Sequence, residues 1–233
     1  MPYYYNNNNN NRRSFLGSIP VVTKNLLIVN ILFFVATLVN EDFMVRTFAL
    51  FYPASPYFRW WQPLTHMFMH GGFWHIFFNM YALLIFGSVV ERTIGTRKFI
   101  VFYFLCGFGA VLMHLGVEYL QVSHYLSLGQ EGAAGYYSIL RTPTLGASGA
   151  VYGVLIGYAM LYPNAVLTLI FPPIPLKAKW WVLIFAAIEL LTGITGTADG
   201  IAHFAHLGGM LIGALLIYIW RKSGSLWRPD QWW

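Results

Sequence analysis

Six stretches of this chain are apolar in the manner of membrane-crossing helices. They lie near residues 19–39, 74–92, 99–119, 146–162, 179–195 and 201–220. A helix needs about 20 mostly apolar residues to cross the hydrocarbon core. The first stretch, around NLLIVNILFFVATLV, has that length, whereas the fourth and fifth are short. Residues 40–73 contain FYPASPYFRWWQPLTHMFMHGG, whose aromatic side chains suit a segment lying in the interface. Residues 120–145 are polar and end at Pro143, and residues 163–178 hold PPIP, read as a rigid turn. The pattern predicts an all-α polytopic membrane protein with one six-helix domain over 19–220. Residues 1–18 open with MPYYYNNNNNNRR, a low-complexity start expected to be disordered and without a signal-peptide core before Arg12 and Arg13. Residues 221–233 form a polar, Trp-rich tail on the cytoplasmic side.

Composition supports the membrane reading. The chain is 58% hydrophobic and 9% charged, against about 25% charged in soluble domains. Its single cysteine, Cys106, lies in an apolar run and is expected to pack in the core. The net charge of +6 is spread over the ends of apolar spans, which argues against nucleic acid as a partner. With a cytoplasmic N-terminus, six crossings put 11 of the 14 Lys and Arg residues inside and only Arg46, Arg59 and Arg141 outside. The positive-inside rule favours that arrangement. The expected location is a bacterial cytoplasmic membrane, crossed several times, with both termini cytoplasmic.

Polar groups inside spans are costly, so each is a functional candidate. His75 and Asn79 are four apart in the second span and share a helix face. Ser148 lies near the start of the fourth span, and His203 and His206 in the first two turns of the sixth. All three spans are entered from outside in this topology, so these groups fall at similar depth, with His206 about 8–10 Å below the helix end. Gly149, Gly153 and Gly157 repeat every four residues, and Ala202, His206, Gly209 and Gly213 follow 3–4 spacing. Small residues let membrane helices approach closely, so Ser148 is readable both as a packing residue and as a nucleophile beside a histidine. Glu118, Glu189 and Asp199 are the available acids, and none has an evident spacing to His206. A Ser–His dyad, its imidazole oriented by packing, is therefore expected. Backbone N–H groups at the start of the fourth helix, with His75 and Asn79, are candidate oxyanion donors.

At these residues the sequence resembles the rhomboid family of intramembrane serine proteases, over roughly residues 20–220. Gly146, Ala147, Ser148 and Gly149 match GxSG; Ala205, His206, Gly209 and Gly213 match AHxxGxxxG; His75 and Asn79 match HxxxN. The resemblance implies a rhomboid-like bundle with Ser148 as nucleophile and His206 as base. It implies an oxyanion site of His75, Asn79 and the Ser148 backbone, and an aromatic at Tyr152 packed on the histidine. It further implies transmembrane proteins as substrates and no cofactor. His203 does not fit, because His206 rather than Gly lies three residues on. Two departures affect loop anchoring: Trp61-Gln62 stands where the family often has Trp-Arg, and Glu91-Arg92 where it often has Glu-x-Arg. Two other classes compete with this reading. His66 and His70 could join His203 and His206 around metal, as in membrane di-iron oxidases. Alternatively, a rhomboid-like chain could bind membrane helices without cutting them.

Overall fold

The computed structural model describes residues 15–130, 132–168, 173–195 and 200–226. In chain order the helices are α1 (Phe15–Ser18), α2 (Val21–Val39), α3 (Glu41–Phe48), α4 (Gln62–Thr65), α5 (Phe73–Ala82), α6 (Ser88–Ile94), α7 (Thr96–Ser127), α8 (Ala134–Arg141), α9 (Ser148–Leu161), α10 (Ala178–Thr195) and α11 (Gly200–Lys222). A π-helical turn, Leu83–Gly87, joins α5 to α6 into one continuous rod. The apolar runs become helices because nothing inside them breaks the pattern. The breakers sit at the ends: Pro20 precedes α2, and Gly95, at φ +84°, separates α6 from α7.

Among the described residues, five helices are long and apolar enough to cross a membrane: Val21–Val39, Phe73–Ile94, Thr96–Ser127, Ala178–Thr195 and Ala202–Lys222. The remaining expected span, the fourth, is α9, which has 14 residues, about 21 Å of helix against a core of about 30 Å. Its length alone does not make it a crossing.

Other expectations shift. The polar stretch 120–145 is not a plain connection, since α7 runs on to Ser127 and α8 follows. No breaker interrupts α7 before Gly129, at φ +63°. The segment 163–178 is not only a turn. Val166–Thr168 (β1) pairs antiparallel with Pro175–Lys177 (β2), so the final proline of PPIP opens a strand. In the N-terminal segment, Phe15–Ser18 forms one helical turn, and 1–14 lie outside the described residues. In the tail, α11 carries on to Lys222, and 227–233 lie outside them.

Helices α7, α9 and α11 form the centre. The glycines of α9 admit both neighbours: their missing side chains face α7, and their carbonyls meet α11. A Cβ at Gly149, Gly153 or Gly157 would press on Ala110, Cys106 or Phe102. Helix α11 lies against the carbonyl edge of α9. A Cβ at Gly209 would stand 1.9 Å from the Gly149 oxygen, and one at Gly213 would stand 2.7 Å from the Gly153 oxygen. Cys106 is fully buried in this core, with Phe102, Tyr103 and Val154. The outer faces stay apolar, as at Leu38, Leu112 and Leu191, each exposed on the surface. A surface of that kind belongs in lipid.

The two departures in family pattern have structural answers. Gln62 is fully buried. Its Oε1 accepts from the Arg59 and Phe51 N–H groups, and its Nε2 donates to the Tyr57 and Arg46 carbonyls. Trp61 Nε1 donates to the Thr47 carbonyl at 2.8 Å. One amide thus gathers the loop from Arg46 to Gln62. Glu91 sits at the start of α2, where its carboxylate accepts from the Val22 and Thr23 N–H groups at 3.0 and 2.8 Å, and from Thr23 Oγ1. A helix start offers unpaired donors and positive dipole, and a carboxylate answers both. Arg92 Nη2 donates to the Ser18 carbonyl.

Candidate functional site

Ser148 is the first residue of α9. Its own N–H is therefore one of the first-turn donors with no acceptor inside the helix. The chain reaches it through a short bridge in which Leu50 and Thr144 exchange backbone hydrogen bonds at 2.8 and 2.7 Å. Gly146 then donates to the His66 carbonyl at 3.0 Å. The first loop thus fixes the approach to the serine.

Ser148 Oγ lies 2.8 Å from His206 Nε2. The main-chain contact of Gly149 with Gly209 sets this spacing, because no side chain stands between the two helices there. Tyr152, one turn after Ser148, lies flat on the His206 ring at 4.3 Å and 9°. The missing side chains of Gly209 and Gly213 allow α11 this approach, and that of Gly149 makes room for Ala110 of α7. These expected residues are all brought together.

His75 and Asn79 lie on the adjacent face of α5. Gly71 N–H donates to His75 Nδ1 at 3.4 Å, which leaves Nε2 as the protonated nitrogen. That nitrogen faces the space over Gly146. A methyl at Gly146 would sit 2.9 Å from His75 Nε2 and 3.4 Å from Ser148 Oγ. Gly146, at φ +137°, keeps this space open. The structure directs Asn79 Nδ2 to the His75 carbonyl at 2.8 Å rather than to Ser148. His70 packs edge-on against His75. His66, fully buried, donates from Nδ1 to the Gln62 carbonyl at 3.1 Å.

A cavity of about 40 Å³ opens beside Ser148, lined on its polar side by His66, His114, Thr144 and Gly146. That is room for about two or three waters. Thr144 Oγ1 and His114 Nε2 lie 2.7 Å apart.

Sequence reasoning missed one residue. Glu189 of α10 reaches the far side of His206, with Oε2 2.9 Å from Nδ1. The contact has the distance of an ion pair, but the ring N–H does not point along it as a hydrogen bond. The same Oε2 lies 2.5 Å from His203 Nδ1, and Oε1 accepts from Tyr152 Oη at 2.5 Å. The imidazole is therefore flanked by a carboxylate as well as by packing. The available signal was a lone acid in the middle of an apolar span. Spacing could not reveal it, because the contact joins separate helices.

The four-histidine metal set does not converge. Among the described residues, the donor atoms close enough to share an ion belong to Glu189, His203 and His206. There the carboxylate already bridges both rings.

Comparisons with known proteins bear on the family of this chain. The "Rhomboid protease AarA" of Providencia stuartii is 29% identical over 218 residues, covering 88% of this chain and 73% of that protein. "Rhomboid protein 1, mitochondrial" of Saccharomyces cerevisiae is 32% identical over 165 residues, covering 70% of this chain and 42% of that protein. "Rhomboid-type serine protease 2" of Emericella nidulans is 25% identical over 170 residues, covering 72% and 28%. A family model described as the Rhomboid domain matches residues 57–223, a stretch that holds Ser148, His206, His75 and the glycines that pack them. With five membrane-length helices around that centre, this chain is an integral membrane protein and belongs to the Rhomboid family.

Proposed function

We propose that this chain is an intramembrane serine endopeptidase that cuts transmembrane-helix substrates, with Ser148 as nucleophile and His206 as general base. The observation that carries this reading is the 2.8 Å contact between Ser148 Oγ and His206 Nε2. Ser148 Oγ attacks the scissile carbonyl carbon while its proton passes to His206 Nε2. The carbonyl oxygen becomes an oxyanion over Gly146, where His75 Nε2–H and the Ser148 N–H can donate, and Asn79 joins them on turning its amide away from the His75 carbonyl. Each such donor is worth about 3 kcal/mol in the transition state. The oxyanion collapses, the C–N bond breaks, and His206 returns its proton to the leaving amine. Water then attacks the acyl-enzyme while His206 takes its proton; the bond to Ser148 Oγ breaks, His206 returns the proton to that oxygen, and the acid product leaves. The cavity beside Ser148 suits the storage of that water.

Carbonyls inside a substrate helix are hydrogen-bonded, so the cut segment must unwind locally. Small or helix-breaking residues near the cut follow from this. In this reading α9 also crosses, as the fourth of six spans, shielded from lipid by its neighbours. The Lys and Arg distribution supports cytoplasmic termini and a site opening outward, and a bacterial cytoplasmic membrane is the location proposed with it. The named protease from Providencia stuartii supports the assignment by similarity.

The test is cleavage of a single-span substrate by protein purified in detergent. Wild type should cut, and Ser148→Ala and His206→Ala should each lose at least about 10⁴-fold in rate. Cutting by Ser148→Ala at the wild-type rate would overturn the nucleophile. Loss of activity in His203→Ala with retention in His206→Ala would overturn the base.

A further inference from the structure

We infer that Glu189 is a positioning residue for His206, so that the reacting unit is a Ser148–His206–Glu189 relay rather than a pair; this rests on the function proposed above. Glu189 is 5% exposed and sits within an apolar span. A carboxylate in such a place is costly unless partnered. Its three polar neighbours all belong to this site: Tyr152 Oη, His203 Nδ1 and His206 Nδ1. Each constrains the imidazole in a different way. Tyr152 carries the ring on its face, and its hydroxyl holds Oε1. His203 holds Oε2 from the same helix as His206. Oε2 then stands 2.9 Å from the one nitrogen of His206 that does not face Ser148.

A neutral imidazole carries its proton on either nitrogen. Only the Nδ1–H form leaves the Nε2 lone pair free to take the Ser148 proton. A carboxylate beside Nδ1 favours that form, and it balances the charge that appears when Nε2 accepts the proton. The off-line direction of the resting contact is in keeping with unliganded sites, where such bonds tighten only on substrate binding.

A second role follows from where Glu189 is anchored. It is the polar link from α10 to both α9 and α11. Displacement of α10 would withdraw the carboxylate from the imidazole.

The experiment is inactivation by a fluorophosphonate, a serine-directed probe, followed as kinact and KI for purified protein in detergent. Glu189→Gln keeps the shape and one acceptor oxygen, which can still take the Tyr152 hydroxyl, but removes the charge. Its kinact should fall about 10²- to 10⁴-fold. KI should stay within about threefold of wild type, and Glu189→Asp should recover at least about tenfold of the loss. A merely structural link would lower the amount of folded protein and leave kinact per folded molecule unchanged, so unfolding of each variant is measured alongside. A kinact for Glu189→Gln within about threefold of wild type, with His206→Ala inactive, would overturn this inference alone. Labelling of His206→Ala at the wild-type rate would overturn the proposed function, and this inference with it.

Discussion

At Gly146 the main chain adopts φ +137°, and the missing side chain leaves a gap between His75 Nε2 and Ser148 Oγ. Gly146→Ala meets both constraints at once. The backbone there is strained for any L side chain, by about 1–3 kcal/mol, and the methyl would occupy the volume that the oxyanion needs. The expected outcome is a fall in cleavage rate of at least about 100-fold per folded molecule, with folding itself destabilised by about 1–3 kcal/mol. Gly72→Ala is the comparison, since its extended backbone and open surroundings accept a methyl. That variant should cleave at close to the wild-type rate. At this scale much was legible. Ser148, His206 and Tyr152 could be read from spacing and resemblance, because each lies in a short local motif. Glu189 could not, because its contacts cross three helices and leave no regular interval in the chain. The anchoring done by Gln62 was hidden for a related reason, since its partners are main-chain atoms and carry no residue signature.

At the level of helices, the closest approach in the bundle is main chain to main chain. Gly209→Ala would drive a methyl to 1.9 Å from the Gly149 oxygen, which no side-chain rotation relieves. The substitution should cost more than about 3 kcal/mol and abolish cleavage, read from unfolding in detergent and from substrate assays. In α7, a methyl added at Gly116 would meet nothing within 4 Å. Gly116→Ala should be neutral or add up to about 1 kcal/mol. The start of α2 offers an independent case. Glu91→Gln keeps the size but loses the charge that meets the Val22 and Thr23 N–H groups. A loss of about 1–3 kcal/mol is expected, without a change in kcat per folded molecule. Span positions were legible because apolar length is a strong signal. The extension of α7 to Ser127 was not, because a helix that leaves the membrane becomes polar while staying helical. The β1–β2 ribbon was missed because its strands are only three residues each.

For the whole molecule, lipid contact and loop chemistry divide the work. The helices hold a rigid centre inside an apolar surface, and the first loop ties itself to the approach to α9 through Leu50–Thr144 and His66–Gly146. His66 and His70 lie in that loop and are buried. Burial pushes both well below the ordinary histidine value of 6.5, to about 4, and nearby His114 and His75 add to the effect. In the unfolded chain these groups gain protons as pH falls through about 6.5. In the folded loop they resist until about 4. Their contribution to stability is therefore complete above pH 6.5 and is lost as pH falls towards 4, by a few kcal/mol in all. Unfolding in detergent should come earlier at pH 5 than at pH 7.5. His66→Gln, whose amide can still donate to the Gln62 carbonyl, should flatten that difference. A midpoint independent of pH would contradict the burial of both rings.

The contact of Gly209 on the Gly149 carbonyl has a consequence for how the sequence can drift. The 2.8 Å between serine and histidine is gauged by two backbones, and a backbone has no rotamers. Residues on the lipid face can change freely, and their repacking dies out before it reaches that gauge. The tolerance is concentrated outside and the brittleness inside, at a few positions whose only permitted side chain is a hydrogen atom. A site built this way is insulated from its surroundings and has almost no room for compromise at its own glycines.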